Sequence, residues 1–330
     1  MRRDRHAARS RRVLVALVAL GALAAACSSD GGGTGNRSPS TPPRAQVVAI
    51  IASVDLYSGA PQRVSVGLVT NDNELVSYGS VDFAFSYIGT AEEPAEPEPG
   101  PSATATFVPT YGSEGTGDAP AITLPSEARG VYEASDVTFD RAGFWQLAVT
   151  ADVEDLGPQR ALATFAVTEE PALPAPGDLA LPTENLTLDS KGVPPAAIDS
   201  RATTEGSVPD PELHGWTIAR AIREGRPALV VFATPVYCVS QFCGPVTDMV
   251  QDLSTRYADR AAFIHVEIWN DYETQALNEA ATDWLLLPSG DLTEPWLYLI
   301  GADGTILDRW SSLWSEDEVV AALEALPAHG

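Results

Sequence analysis

Ala228-Leu229-Val230-Val231-Phe232-Ala233-Thr234-Pro235-Val236-Tyr237-Cys238-Val239-Ser240-Gln241-Phe242-Cys243-Gly244-Pro245 is the stretch that decides the fold of the C-terminal part of this chain. Residues 228–233 are an unbroken apolar run with β-branched members, the pattern of a strand buried on both faces. Thr234-Pro235 breaks it, and an aromatic-cysteine step follows. A helical pattern then runs over 244–259. A thiol between the end of a buried strand and the start of a helix lies where helix N-terminal amides stabilise a thiolate. Cys238 and Cys243 are therefore read as a redox pair rather than as core packing.

Outward from this stretch the pattern alternates. Upstream, Asp210 is placed to cap a helix running to about Glu224, with Leu213, Ile218 and Ile222 on its apolar side. Downstream come a strand at 261–269, a helix near 274–286 and a strand at 296–301. Asp303-Gly304 signals a hairpin into a strand at 305–310. Ser315-Glu316-Asp317-Glu318 has the form of a capping box for a last helix carrying Val319, Val320, Leu323 and Leu326.

This α-β-α-β-α-β-β-α order, with a cysteine pair after the second element, resembles the thioredoxin-like superfamily over 210–328. Phe232 to Cys238 is similar to the family's strand, short loop and aromatic-cysteine step. Thr293-Glu294-Pro295-Trp296 is similar to the loop whose cis-proline packs on the disulfide. The resemblance implies a thiol–disulfide oxidoreductase with Cys238, Cys243 and Pro295 in the catalytic site. It also implies that Tyr237 and Trp296 line an apolar docking surface for extracytoplasmic protein thiols or disulfides, and that no diffusible cofactor is needed.

Three features depart from the family. The spacer between the cysteines has four residues instead of two, about 500° of helix, so residues 239–242 must leave the helical path for the sulfurs to bond. Val231 stands where the family has a buried carboxylate, and Glu267 on the neighbouring strand is the substitute considered for proton handling. Phe242-Cys243-Gly244-Pro245-Val246 also mimics Trp-Cys-Gly-Pro-Cys without its second cysteine, so a register with Cys243 as the reactive thiol stays open. Copper-delivering relatives place a histidine in the cis-proline loop, where this chain has Glu294-Pro295. His265 is read as a core or rim histidine and His214 and His329 as incidental. A copper chaperone, and a binding lipoprotein whose disulfide is structural, are the alternatives.

The N-terminus sets the compartment. Met1 to Arg12 carries six arginines, and Val13 to Ala26 is apolar but too short to span a bilayer as a mature helix. Leu23-Ala24-Ala25-Ala26-Cys27 resembles a bacterial lipobox with its leucine displaced by one position. Residues 1–26 are thus expected to be a lipoprotein signal peptide, Cys27 the lipidation site, and 27–45 a Gly/Ser/Pro tether to the outer face of the cell membrane. Ser10-Arg11-Arg12-Val13-Leu14 also fits a loose twin-arginine pattern. Without the leader's six arginines and one aspartate, the chain's formal charge of −25 becomes −30, which argues against nucleic acid as a partner.

Between tether and redox module, 46–168 reads as all-β. Val64, Val66 and Leu68 alternate with polar or small residues, as do Val81, Phe83, Phe85 and Tyr87, and Trp145, Leu147 and Val149. About seven strands imply an antiparallel sandwich, and Gly143-Phe144-Trp145-Gln146-Leu147-Ala148-Val149 resembles a late strand of small immunoglobulin-like domains. The segment lacks cysteine and histidine, which disfavours a soft-ligand metal site there. Ala91–Pro101 and Tyr111–Pro120 are expected to be exposed loops. Residues 169–209, rich in Pro, Ala and Thr, are expected to be a linker, with Asn185-Leu186-Thr187 an incidental sequon. The expected organisation is an all-β immunoglobulin-like sandwich followed by a thioredoxin-like α/β domain at 210–330.

Overall fold

The computed structural model describes residues 47–113, 115–202 and 207–327. The lipobox cysteine Cys27, the leader, the tether and His329 lie outside the described residues. Ala45–Gly330 forms one compact unit.

Its first half is antiparallel β structure. The strands are β1 (Val47–Ile51), β2 (Pro61–Thr70), β3 (Leu75–Ser77), β4 (Ser80–Gly89), β5 (Pro94–Pro109), β6 (Ala121–Thr123), β7 (Gly130–Thr138), β8 (Gly143–Val153) and β9 (Gly157–Val167). The hydrogen-bonded ladder runs β6-β3-β2-β7-β5-β4-β8-β9, with β1 on β2. The predicted alternation holds: Val64, Val66 and Leu68 face Phe83, Phe85, Leu147 and Val149 across a single core. Phe85 meets Phe139 edge-on at its centre, and Phe139 packs tilted against Trp145.

One expected loop is a strand. Pro94–Pro109 is extended over 16 residues, and Ser86↔Pro99 and Tyr87↔Glu98 pair it with β4. Its pairing with β7 on the other side begins only at Thr106. Four prolines without N–H groups are therefore tolerated, because they sit where the strand has one neighbour. Composition suggested an exposed loop; pairing on one edge overrides it.

The second half contains α1 (Ile218–Arg223), β10 (Ala228–Ala233), α2 (Cys243–Arg256), β11 (Ala262–Glu267), β12 (Trp269–Asp271), β13 (Ala276–Leu277), α3 (Glu279–Leu285), β14 (Trp296–Ile300), β15 (Ile306–Ser311) and α4 (Glu316–Glu324). The main sheet has the order β11-β10-β14-β15. β10 pairs parallel with β11 and antiparallel with β14. Strand periodicity sorts β10 between two cores. Leu229, Val231 and Ala233 face α2 and α4 through Val246, Val250, Leu253, Val319 and Leu323. Ala228, Val230 and Phe232 face α1 and α3 through Ile218, Ala221, Ala281 and Trp284.

The segment expected as a linker is part of this structure. Leu173 and Ala180 join the core beneath α1 and α3. The buried Asn185 accepts the Ile218 N–H at 2.8 Å and donates to Trp216 O, so the sequon is a structural clamp. Thr183 accepts from the Trp284 indole at 2.9 Å. The proline content gives this segment an extended path with few backbone donors to satisfy, and that path lies on the sheet rather than in solvent.

Two expected caps differ. Asp210 has φ 47° and makes no side-chain cap, because Pro211–His214 is a separate 3-10 turn; Thr217 instead caps α1 through Arg220 N. Ser315 makes no side-chain cap to α4. Glu318 is drawn away by Arg63, at 2.8 Å, and by the Trp310 indole.

Those contacts join the two halves. Arg63 on β2 forms a bidentate pair with Asp308 at 2.9 and 3.0 Å and lies over the Trp310 ring. Arg309 on β15 meets the buried Asp55 at 2.8 Å and donates to Leu173 O and Pro174 O.

Candidate functional site

Cys238 and Cys243 are joined in a disulfide beyond the C-terminal end of β10. The four-residue spacer closes because residues 238–242 are not helical. Gln241 adopts a left-handed φ of 63° and returns its N–H to Cys238 O, and α2 starts at Cys243. Arg129 of the β half holds the Gln241 side chain. The backbone detour restores the sulfur proximity that a helical x4 spacing would deny.

The two sulfurs differ in environment. Cys243 is 0% exposed within the core around Val246 and Leu253. Cys238 is half-buried. Its sulfur receives the Cys243 N–H at 3.3 Å and lies 3.2 Å from Ser240 Oγ. A helix N-terminal amide and a hydroxyl thus converge on the more accessible sulfur, where a thiolate formed on reduction would be stabilised.

Pro295 is buried and follows a cis peptide from Glu294. Its carbonyl accepts from Ser312 N at 2.9 Å, so it is not free for a partner strand. Trp296 corrects the expected docking surface. It is 2% exposed, stacks on Tyr298 and bonds Thr293 through its indole N–H. As the first residue of an interior strand it points into the core. Tyr237 is half-buried and stacks on Tyr272 at 3.8 Å. The apolar rim beside the disulfide is supplied by residues that the sequence reading did not single out: Val239, 92% exposed, Val236 and Tyr272. For Val239 the signal was present, because a valine between two loop cysteines has no strand or helix face to join.

Glu267 is buried at the end of β11, and its carboxylate is fully engaged. It accepts from Ser200 N at 2.8 Å, Ile268 N at 2.9 Å and Trp269 N at 3.3 Å. It pins the connector to the sheet. The carboxylate next to the sulfurs is Glu294: an oxygen lies within 4.8 Å of both Cys238 Sγ and Cys243 Sγ. Burial, with the negative charge of Glu267, pushes Glu294 up to about 7. Reduced, the pair and Glu294 would offer two soft thiolates and one hard oxygen, a poor match for Cu(I).

Behind the site, His214 and His265 are fully buried and share Asp199. His214 is therefore not incidental. The sequence reading missed this cluster because Asp199 lies in the segment taken for a linker.

No protein-family model and no curated protein matches the chain. Among solved structures, the crystal structure of BslA, a bacterial hydrophobin, aligns with 38% of this chain and 93% of that chain at 15% identity, with a TM-score of 0.22. That likeness is too weak to carry an argument. Among the described residues no helix is long and apolar enough to cross a membrane.

Proposed function

We propose that this chain is a thiol–disulfide oxidoreductase, held by an acylated Cys27 on the extracytoplasmic face of the cell membrane. Its second half is taken as a thioredoxin-like module and its first as an immunoglobulin-like domain. The observation that carries the reading is the asymmetry of the disulfide. Cys238 offers an accessible sulfur facing a helix N-terminal amide, and Cys243 is buried behind it.

In the oxidised form a partner thiolate attacks Cys238 Sγ. The Cys238–Cys243 bond breaks, and its electron pair leaves on Cys243 as a thiolate. A second partner thiolate then attacks the partner sulfur of the mixed disulfide and releases the Cys238 thiolate. The partner has lost two electrons and the cysteine pair has gained them. The reverse sequence reduces a partner disulfide, with Cys238 as nucleophile and Cys243 as resolving thiol. Val236, Val239, Tyr237 and Tyr272 form the apolar surface on which a partner segment would dock.

Trapping in cells tests this. Cys243→Ser should accumulate mixed disulfides through Cys238, and Cys238→Ser far fewer. Trapping chiefly through Cys243 would reverse the roles. No trapping by either variant, with a disulfide that resists dithiothreitol, would make the bond structural.

A further inference from the structure

The buried cluster behind the redox loop has an arrangement that packing does not account for. Asp199 Oδ2 lies 3.4 Å from His214 Nε2 and 3.3 Å from His265 Nδ1. Neither contact meets hydrogen-bond geometry, so both ring nitrogens of His214 and Nδ1 of His265 are buried without partners. Leaving such groups unpaired in a protein interior is costly. His265 Nε2 lies 3.0 Å from Ala233 O. Nε2 therefore carries an N–H, and Nδ1 turns toward Asp199. This is how a metal-ligating histidine is oriented by its outer hydrogen bond.

We propose that Asp199 Oδ2, His214 Nε2 and His265 Nδ1 form a binding site for a divalent transition-metal ion, with Zn²⁺ the best fit. Two imidazoles and a carboxylate are a donor set that zinc accepts. Ligands about 2.0–2.1 Å from a tetrahedral ion stand roughly 3.3–3.4 Å from one another. The two separations on Asp199 Oδ2 match that spacing, and all three ligand atoms lie within 4.8 Å of one another.

The surrounding charge agrees. Arg201 binds Asp199 through Nε at 3.1 Å and Nη2 at 2.7 Å, and this cation has to be reconciled with an ion. Arg201 also pairs with Asp210 at 2.7 Å and Asp248 at 3.3 Å. Asp248 is largely exposed, but the more enclosed Asp199 and Asp210 still outnumber the single guanidinium, a negative balance that favours a cation. Oδ2 of a carboxylate has two lone-pair directions, one for Arg201 and one for the metal.

The site would have a mechanical consequence. The next residue, Ser200, donates its N–H to Glu267 and its hydroxyl accepts from Val236 N, two residues before Cys238. An ion on Asp199 would thus fix the connector that supports the cysteine loop. The inference does not depend on the redox reading, and its test does not use activity.

The full-length chain, unfolded in chelator, refolded with one equivalent of Zn²⁺ and dialysed, should retain one zinc per chain. Zinc should raise its Tm. Co²⁺ in its place should give the visible ligand-field bands of a tetrahedral site without thiolate charge transfer. His214→Ala and Asp199→Asn should each weaken Zn²⁺ affinity at least about 100-fold. X-ray absorption on the zinc-loaded wild type should show imidazole scattering from two histidines, a readout that stands even if the variants do not fold. Wild type that retains no zinc after refolding, variants that retain as much as wild type, or a sulfur-dominated shell would each overturn the proposal.

Discussion

Replacing Glu294 by glutamine isolates one charge beside the disulfide. Its carboxyl sits within 4.8 Å of both sulfurs and titrates at about 7, so it is largely neutral at pH 6 and largely ionised at pH 8. Attack on Cys238 brings a thiolate in and spreads negative charge over three sulfurs. An ionised Glu294 opposes that charge. At about 4.8 Å, the repulsion is roughly 1 kcal/mol at the dielectric of water and about 3.5 kcal/mol at an effective value of 20. Glu294 is half-buried and the disulfide reaches solvent, so about 1–2 kcal/mol applies, equivalent to about 5- to 30-fold in rate. The assay is stopped-flow reduction by dithiothreitol, with each rate constant divided by the thiolate concentration at that pH. Because about a tenth of the carboxyls are still neutral at pH 8, wild type should lose about 3- to 8-fold between pH 6 and 8. Glu294→Gln should match wild type at pH 6, stay flat to pH 8, and show less salt dependence there. A wild-type profile already flat over this range, or a variant that declines in parallel, would refute the reasoning.

Glu133, buried between Ser65 and the Arg63 cluster, is pushed up to about 7, chiefly by burial. Its folded value lies above its unfolded one, so stability is lost as pH rises from about 4.5 to about 7. Glu133→Gln should therefore gain up to about 3 kcal/mol at pH 8 and little at pH 4, as read by urea unfolding. A fragment 172–330 should be more stable than 210–330 by at least about 3 kcal/mol. The shorter piece loses the burial of Leu173 and the Asn185 clamp on α1, and equal melting curves would argue otherwise. Cys27→Ala should move the protein out of the membrane fraction or leave it unprocessed; unchanged fractionation would remove the anchor from the functional reading.

Why was the cysteine stretch legible and the connector not? The run 228–233 declares itself because a strand covered on both faces leaves no room for polar residues, and the β4 and β8 alternations declare themselves because one face of each is core. These signals are local and periodic. Pro94–Pro101 has no such period: it folds back on β4, the strand just before it, and that pairing leaves no mark on its Pro/Glu-rich composition, so composition alone pointed to a loop. The same holds more strongly for 172–202. Asp199 has no local reason to be buried. Arg201, two residues on, pairs with it, and His214 and His265 reach it from two other places in the chain. Glu318 shows the converse. A local rule assigned it to a helix cap, and a distant arginine offered a stronger, charge-assisted partner. Glu267 and Glu294 exchange roles for a related reason. From sequence, the strand carboxylate was the natural candidate to serve the sulfurs, but three backbone N–H groups consume its lone pairs. The loop carboxylate before Pro295 is left facing the disulfide, with burial and a like charge raising its affinity for a proton. The chemistry at this site therefore depends on which acceptor the backbone has left unoccupied, a property of the assembled fold that no residue type or spacing displays.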